Sequence, residues 1–401
     1  MTIVDVRDVP TSEFIADLRS RYPVEHEVDA MLTRRMIRRS GPAYRNVTLD
    51  ELSDCFGHLL DATIDTPYKI LDPRWLSGGA SKIQMRVTLE WTPPGESVQI
   101  ASDLVIRMEP SESLNASSRR REFELIGVLA DVIPVPQVYW VDDEATWFPE
   151  PALVYAYSAG VTKPTGGTGG AVTGMGTNFG PRLRNILSPQ FVEILAKIHT
   201  FDHESAQLPS FDRPRIGTTE TALWQLNRGR RVWEEDRGEE FALMDVAANW
   251  LESNMPVLDH ASVVHGDYRA GNFLFDEESG SILAILDWER AYIGDRHRDL
   301  AWLTAKVIGH NASDGTYLVC GLMPEDEFYT RYEDASGFTV DPDRLRYYEI
   351  LNRYQQVQTL LGTSFRVAKL GKSHQNVLVA RMESAAYLLA EELRSALREV
   401  I

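Results

Sequence analysis

Cysteine is nearly absent from this chain: Cys55 and Cys320 are the two among 401 residues. That leaves no disulfide framework and no thiolate cluster for a metal. Long hydrophobic runs are missing too. No stretch approaches the roughly eighteen uncharged apolar residues of a membrane helix, and the opening Met1-Thr2-Ile3-Val4-Asp5-Val6-Arg7-Asp8 lacks the apolar centre of a secretory leader. Positive charge is in short supply, with 41 Lys and Arg against 59 Asp and Glu and a net charge of −18. A surface of that sign disfavours nucleic acid, whose phosphates call for a basic face. These absences predict a reduced, cytoplasmic protein with neither membrane nor nucleic acid as partner. At 43% hydrophobic and 25% charged, the composition is that of a globular protein with ample core.

Periodicity divides the chain into three parts. Residues 1–74 read as a helical extension: Ser12 caps a helix through Phe14, Ile15 and Leu18, and Met31, Leu32, Met36 and Ile37 repeat that spacing. Arg34, Arg35, Arg38 and Arg39 form a basic run there, read as a solvated helix face. Residues 75–160 switch to strands. Gly78, Gly79 and Ser81 make a small-residue turn before Ile83–Leu89, which alternates at period two. Pro93-Pro94-Gly95-Glu96 is a hairpin loop, followed by strands at Val98–Arg107, Val138–Val141 and Ala152–Tyr157, with a helix over Arg119–Ala130. Residues 161–401 read as mainly helical. A Gly/Thr-rich loop over 163–180 reads as either a lid or a linker, with Asn178 and Phe179 available to meet a substrate. A final helix over Val377–Val400 presents Leu378, Met382, Ala385, Leu388 and Leu389 as a core stripe.

The densest information lies in His265-Gly266-Asp267-Tyr268-Arg269-Ala270-Gly271-Asn272, followed by Ile285-Leu286-Asp287-Trp288-Glu289. Asp267 and Asn272 stand at the D-x-x-x-x-N interval of a kinase catalytic loop. Asp287 closes an apolar run, Ile282–Leu286, of the kind that forms a buried strand. An acid to orient a hydroxyl, with an amide oxygen and a second acid as hard ligands for Mg²⁺, makes one coherent set for phosphoryl transfer. Glu289 reads as an accessory ligand or a surface acid, Asp299 as a helix N-cap. Arg269 either steadies the loop or meets an anionic substrate.

These motifs, with Gly294-Asp295 and Asp299-Leu300-Ala301-Trp302, resemble the aminoglycoside phosphotransferase or choline-kinase-like family. The Tyr268-Arg269 pair is similar to the branch of kinase-like domains fused to acyl-CoA dehydrogenases. The resemblance runs from about Trp75 to the end; the first seventy or so residues have no counterpart. It implies a bilobal, protein-kinase-like α+β fold with a small antiparallel-sheet lobe and a mainly helical lobe. It also implies ATP and Mg²⁺ as cofactors, GTP not being excluded, and a small hydroxylated molecule as acceptor. By the same resemblance Asp267 is the catalytic residue, and Asn272 and Asp287 hold the metal. Gly78, Gly79 and Ser81 form the turn over the phosphates, and His265 is structural. Arg107 stands where typical kinases carry the phosphate-binding Lys, with Glu122 as its partner and Glu124 as second choice. Tyr155 and Tyr157 fall on the hinge that borders the adenine.

For the acceptor, the branch resemblance ranks a hydroxy acid or hydroxyacyl compound above an aminoglycoside. Arg228, Arg230 and Arg231 offer a cluster for such an anion, whereas Glu325, Asp326 and Glu327 would suit a polycation or simply begin a helix. A catalytically silent nucleotide-binding module is the alternative of a different class. The oligomeric state is left open.

Overall fold

The computed structural model describes residues 5–76, 82–166 and 174–401. Its small lobe is a five-stranded antiparallel sheet in the order β1-β2-β3-β5-β4. The strands are β1 (Lys69–Trp75), β2 (Ile83–Trp91), β3 (Ile100–Met108), β4 (Val138–Asp142) and β5 (Ala152–Ala156), with a helix (Arg119–Leu129) between β3 and β4. Sequence periodicity shows β2 well because its burial alternates at every residue. It does not show β1, where Pro73, a bulge between Leu71 and Arg74 and a positive φ at Asp72 break the pattern.

The extension folds as α1 (Ser12–Arg21), α2 (His26–Arg38) and α3 (Leu49–Thr63), so the small-lobe helix is α4. A capping box starts α3: Glu51 N–H donates to Thr48 Oγ1 (3.1 Å), and Thr48 N–H donates to the Glu51 carboxylate (2.9 Å). Its stripe of Leu52, Phe56, Leu59 and Leu60 then packs on Met85, Val87, Leu104 and Ile106 from the outer face of the sheet. Each such side chain contributes roughly 1.5–3 kcal/mol on burial. The opposite face, carrying Val105, Arg107, Leu153 and Tyr155 in register, is turned to α4 and the cleft.

In α2 the basic run is not a solvated face. Arg34 and Arg38 lie toward the surface, on Glu144 and Glu150. Arg39 is buried and grips Glu112 through two nitrogens (3.0 and 2.8 Å) and Asp236 (2.7 Å), and Arg35 joins Asp236 at 2.6 Å. Together with Val28, Met31 and Leu32 against Val232, this fixes the extension to the helical lobe. The extension thus contacts both lobes, α3 on the sheet and α2 on the helices.

The helical lobe contains α5 (Gly180–His199), α6 (Glu220–Asp236), α7 (Ala242–Ser253), α8 (His297–Leu303), α9 (Glu325–Ser336) and α10 (Pro342–Val357). A π-helical turn (Gln358–Thr363), α11 (Ser364–Lys369), α12 (Asn376–Glu383) and α13 (Ala386–Arg398) follow. Two short antiparallel pairs, β6 (Ser262–Val264) with β9 (Tyr292–Gly294) and the hairpin of β7 (Phe273–Phe275) with β8 (Ile282–Ile285), are set between these helices. Phe179 enters the core against Phe273 and Phe275, which corrects the expectation that it meets a substrate. Asn178 accepts the Gly180 N–H at the start of α5. Of the rest of the Gly/Thr-rich loop, residues 167–173 lie outside the described residues; before them Thr165 bonds the Glu277 carboxylate (3.0 and 2.7 Å), and after them Thr177 donates to the Gly174 carbonyl (2.6 Å). The C-terminal stripe is also corrected. Val379, Ala386, Ala390, Leu393 and Leu397 are buried, about one residue on from the expected stripe, while Leu378 and Leu388 are exposed.

Candidate active site

The catalytic-loop residues 265–272 join β6 to β7, and three anchors hold them. Asp299, buried on α8, accepts the backbone N–H groups of His265 (2.7 Å) and Gly266 (2.8 Å) and also faces His199 (3.2 Å). Burial alone would raise this carboxyl; His199 and the backbone donors more than offset that and hold it below the usual carboxylate range. Asp299 is the third residue of its helix, so it ties down the loop rather than capping α8. His265 donates through Nε2 to the Leu286 carbonyl (3.0 Å) and accepts the Asp267 N–H at Nδ1 (3.2 Å), a bracket between the two motifs. Tyr268, fully buried, donates to the Phe191 carbonyl at 2.8 Å.

Gly266 adopts φ +80, and a Cβ there would stand 2.8 Å from the Arg290 carbonyl oxygen and 2.9 Å from the Arg290 Cβ. Gly266→Ala is therefore expected to cost at least about 1–2 kcal/mol through the left-handed backbone alone. A clash with backbone adds to it. Thermal melting checks this: an unchanged midpoint would show that the loop is not held as described.

Asp267 is gripped on both oxygens. Its Oδ1 accepts from Arg269 Nε and Trp302 Nε1, each at 2.9 Å, and its Oδ2 accepts from Asn272 Nδ2 at 2.8 Å. Arg269 also donates to the Ala270 carbonyl (2.9 Å), so it steadies the loop. The β7–β8 hairpin brings Asn272 beside Asp287: Phe273 is opposite Ile285, and Leu286 N–H donates to the Asn272 carbonyl at 2.8 Å. Asp287 itself sits at φ 68, ψ 53, a left-handed conformation Asp tolerates better than most residues. Asp267 and Asp287 keep 15% and 26% of their side chains exposed, enough to face a ligand in the cleft.

From the small lobe, Arg107 reaches across. Its guanidinium contacts Glu122 (2.6 Å), Asp287 (2.5 Å) and Glu289 (2.9 Å). Glu122 is thus its partner on α4, while Glu124 binds Ser210 in the other lobe. Burial alone would raise the Asp287 carboxyl; Arg107, helped by Lys82, outweighs burial and the nearby Asp267 and holds it low. Glu289 is buried, so the surface-acid reading does not hold. It also meets Lys82 at 3.2 Å. Lys82 and Arg119, unremarked in the sequence, complete the network: Lys82 to Glu109 (3.0 Å) and Arg119 to Glu122 (2.5 Å) and Glu109 (3.1 Å). Three cations (Lys82, Arg107, Arg119) here serve four carboxylates (Glu109, Glu122, Asp287, Glu289). The surplus negative charge lies toward Asp287, the partly open end.

Gly78, Gly79 and Ser81 lie outside the described residues. Tyr155 shares the cleft-facing side of β5 with Leu153, and burial pushes its phenol up to about 12 against the pull of Arg107. Tyr157 carries the Arg86 guanidinium over its ring at 3.7 Å. The amides of Ala156 and Tyr157 donate to the Gln137 and Asp103 carbonyls, so the chain crosses between lobes over residues 158–160. In the arginine cluster, Arg230 pairs with Glu252 (2.7 Å), and Arg231 with Asp29 (2.5 Å) and Glu235 (3.0 Å). Glu325, Asp326 and Glu327 form the acidic first turn of α9.

An antiparallel sheet and its helix carrying a cation–carboxylate pair, stacked on a helical lobe whose loops present an Asp, an Asn and a second Asp, define a protein-kinase-like phosphotransferase fold. Comparison agrees: residues 94–348 match the model of the phosphotransferase enzyme family, and the chain belongs to that family. Acyl-CoA dehydrogenase family member 10 of Mus musculus is 26% identical over 207 residues, 50% of this chain. The chain spans 18% of that protein's length. Among solved structures, the GDP and kanamycin complex of APH(2")-IIia has a TM-score of 0.54 at 17% identity, covering 87% of this chain and 99% of that one. Macrolide 2'-phosphotransferase type I gives 0.52 at 17%, covering 85% and 98%. At such identities these two speak to the fold. No helix among the described residues is long and apolar enough to cross a membrane.

Proposed function

We propose that this protein transfers the γ-phosphoryl group of ATP to a hydroxyl of a small molecule, with Mg²⁺. The observation that carries this reading is the convergence of Asp267, Asn272 and Asp287 with the Arg107–Glu122 pair in one cleft. Asp267 orients the acceptor hydroxyl and takes its proton as the oxygen–phosphorus bond forms and the bond to the leaving ADP breaks. Because that transition state is loose, position counts for more than basicity, and three donors on Asp267 supply position. Arg107 contributes the phosphate-facing positive charge that Lys supplies elsewhere.

The donor set suits Mg²⁺. Asn272 spends its Nδ2 on Asp267, which leaves its amide oxygen as a ligand, and Asp287 adds one carboxylate. Mg²⁺ is commonly held by one or two carboxylates with substrate phosphates and water. When bound, it neutralises phosphate charge.

Asp287→Asn tests this cleanly, since Asn tolerates a left-handed backbone as Asp does. The variant is expected to fold and to lose Mg²⁺-dependent ATP affinity together with turnover. Unchanged metal dependence in a magnesium titration would remove Asp287 from the site. For the acceptor, the relatives fused to acyl-CoA dehydrogenases favour a hydroxy acid or hydroxyacyl compound over an aminoglycoside. ATP turnover against hydroxy acids, diols and amino sugars tests the reading as a whole. Nucleotide binding without turnover of any acceptor would replace it by a silent nucleotide-binding module.

A further inference from the structure

Beside the catalytic loop lie arginines that the ion-pair networks pass over. Buried Arg39, Arg107, Arg119 and Arg231 each have a carboxylate partner. Arg228 on α6 and Arg290, three residues after Asp287, both partly exposed, do not. Among the described residues their hydrogen-bond partners are neutral: the Ala116 carbonyl for Arg228 (3.1 Å) and the Gln355 amide oxygen for Arg290 (3.2 Å). That same Gln355 oxygen already accepts from Arg298 at 2.5 Å. Burial, then the like charges of Arg290, Arg298 and Arg121, press Arg228 down to about 9. Burial, then Arg298, brings Arg290 to about 10, against the pull of Asp267 and Glu289. A guanidinium keeps its proton in proteins, so a pair placed this way is relieved by an anion.

There is a place for one. Arg228 and Arg290 line a single cavity whose polar wall is Asn115, Gln355, Gln358 and Thr359 and whose other wall is largely apolar, including Leu32, Leu114 and Val232. The space open to the centre of a water molecule there is about 30 Å³, room for roughly two waters, or for one carboxylate in their stead. The two guanidiniums with the amides and the hydroxyl suit a carboxylate head, and the apolar wall suits the carbon chain that carries it. Part of the wall is the π-helical turn at Gln358–Thr363, an irregularity that recurs at functional sites. The cavity also adjoins the chemistry. Arg290 lies 5.9 Å from the centre of the Trp302 ring, and Trp302 Nε1 donates to the Asp267 carboxylate.

We infer that the Arg228–Arg290 cavity is the acceptor's anion subsite: it takes a carboxylate of the molecule whose hydroxyl is presented to Asp267. This rests on the phosphotransferase reading and adds to it the residues that select the acceptor.

The test compares the parent with Arg228→Gln and Arg228→Lys. Linear hydroxy acids of increasing hydroxyl-to-carboxylate distance are assayed beside the diols that lack the carboxylate. The parent is expected to favour its best hydroxy acid over the matched diol by about 100-fold or more in kcat/KM, the scale of one charge-assisted contact or two. Arg228→Gln should cut that ratio at least about tenfold, through the acceptor KM, and Arg228→Lys should restore part of it. Because the substitution removes a charge that has no carboxylate partner and lies among other arginines, the Gln variant should melt no lower than the parent, which separates the effect from misfolding. An unchanged ratio, or a parent that prefers diols, overturns the assignment. Calorimetry with butyrate and with inorganic phosphate keeps the site testable even if no acceptor is turned over. Butyrate binding that is lost in Arg228→Gln supports the subsite, whatever the fate of the phosphotransferase reading. No butyrate binding, or binding of phosphate only, overturns it.

Discussion

Asp267→Ala is expected to lower kcat by roughly 10²–10⁴-fold, the range for a positioned general base, while the ATP dissociation constant stays near that of the parent. The separation follows from what the side chain touches. Its carboxylate meets Arg269, Trp302 and Asn272, whereas the small-lobe charges proposed to meet the nucleotide are organised around Arg107. Truncation removes one acceptor each from the Asn272 amide and the Arg269 guanidinium, which keep the Asp267 and Ala270 carbonyls, so a small loss of loop order accompanies the loss of base. Asp267→Asn separates the two effects, because it keeps the volume and one acceptor oxygen but cannot take a proton. A similar loss in both variants assigns the effect to proton acceptance and hydroxyl orientation. Full activity in Asp267→Asn, measured by phosphoryl transfer under saturating ATP, would take Asp267 out of the mechanism.

What the sequence disclosed follows from how near in the chain the cooperating residues are. Asp267 and Asn272 lie in one loop and Asp287 at the end of the next hairpin, so a linear motif captures most of their geometry. Arg107 and Glu122 belong to one strand–helix unit, and their pairing was legible for the same reason. The charges that complete the site come from farther away. Lys82 meets Glu289 across most of the chain, and Trp302 reaches back to Asp267 from α8. No periodicity carries such contacts. Arg35 and Arg39 show the reverse failure: four arginines in a short stretch look solvated, yet two of them are drawn inward by Glu112, Glu235 and Asp236, residues some 73 to 201 positions distant. The C-terminal stripe failed for a local reason. The expected stripe ran about one residue out of step with the buried set Val379, Ala386, Ala390 and Leu393, and one residue is about 100° around a helix, enough to turn an inward face outward.

Arg107→Ala should show the largest combined loss of stability and nucleotide affinity. The guanidinium stands among Glu122, Asp287 and Glu289 and is itself almost wholly buried. Removing one partner of a buried ion network leaves charge without compensation, which typically costs about 3–5 kcal/mol. Here Arg119 and Lys82 still serve Glu122 and Glu289, so the loss should fall at the lower end and concentrate on Asp287. That carboxyl, held low by Arg107, would then rise under burial and Asp267. In the parent its folded value lies below the unfolded one, so its contribution is present above the usual carboxylate range and lost as pH falls through the folded value. Arg107→Ala should therefore flatten the acid limb of the stability–pH curve as well as lower the melting temperature near neutrality. ATP affinity should fall at least about tenfold, the equivalent of one charge-assisted hydrogen bond. Arg107→Lys separates charge from geometry. An ammonium keeps the positive charge but lacks the planar fork that spans α4 and the Asp287 turn at once. It should recover part of the stability, because one or two carboxylates regain a partner, and less of the ATP affinity. If Arg107→Ala binds ATP as the parent does, the guanidinium serves only to hold the lobes together, and the phosphate-facing charge must be sought at Lys82.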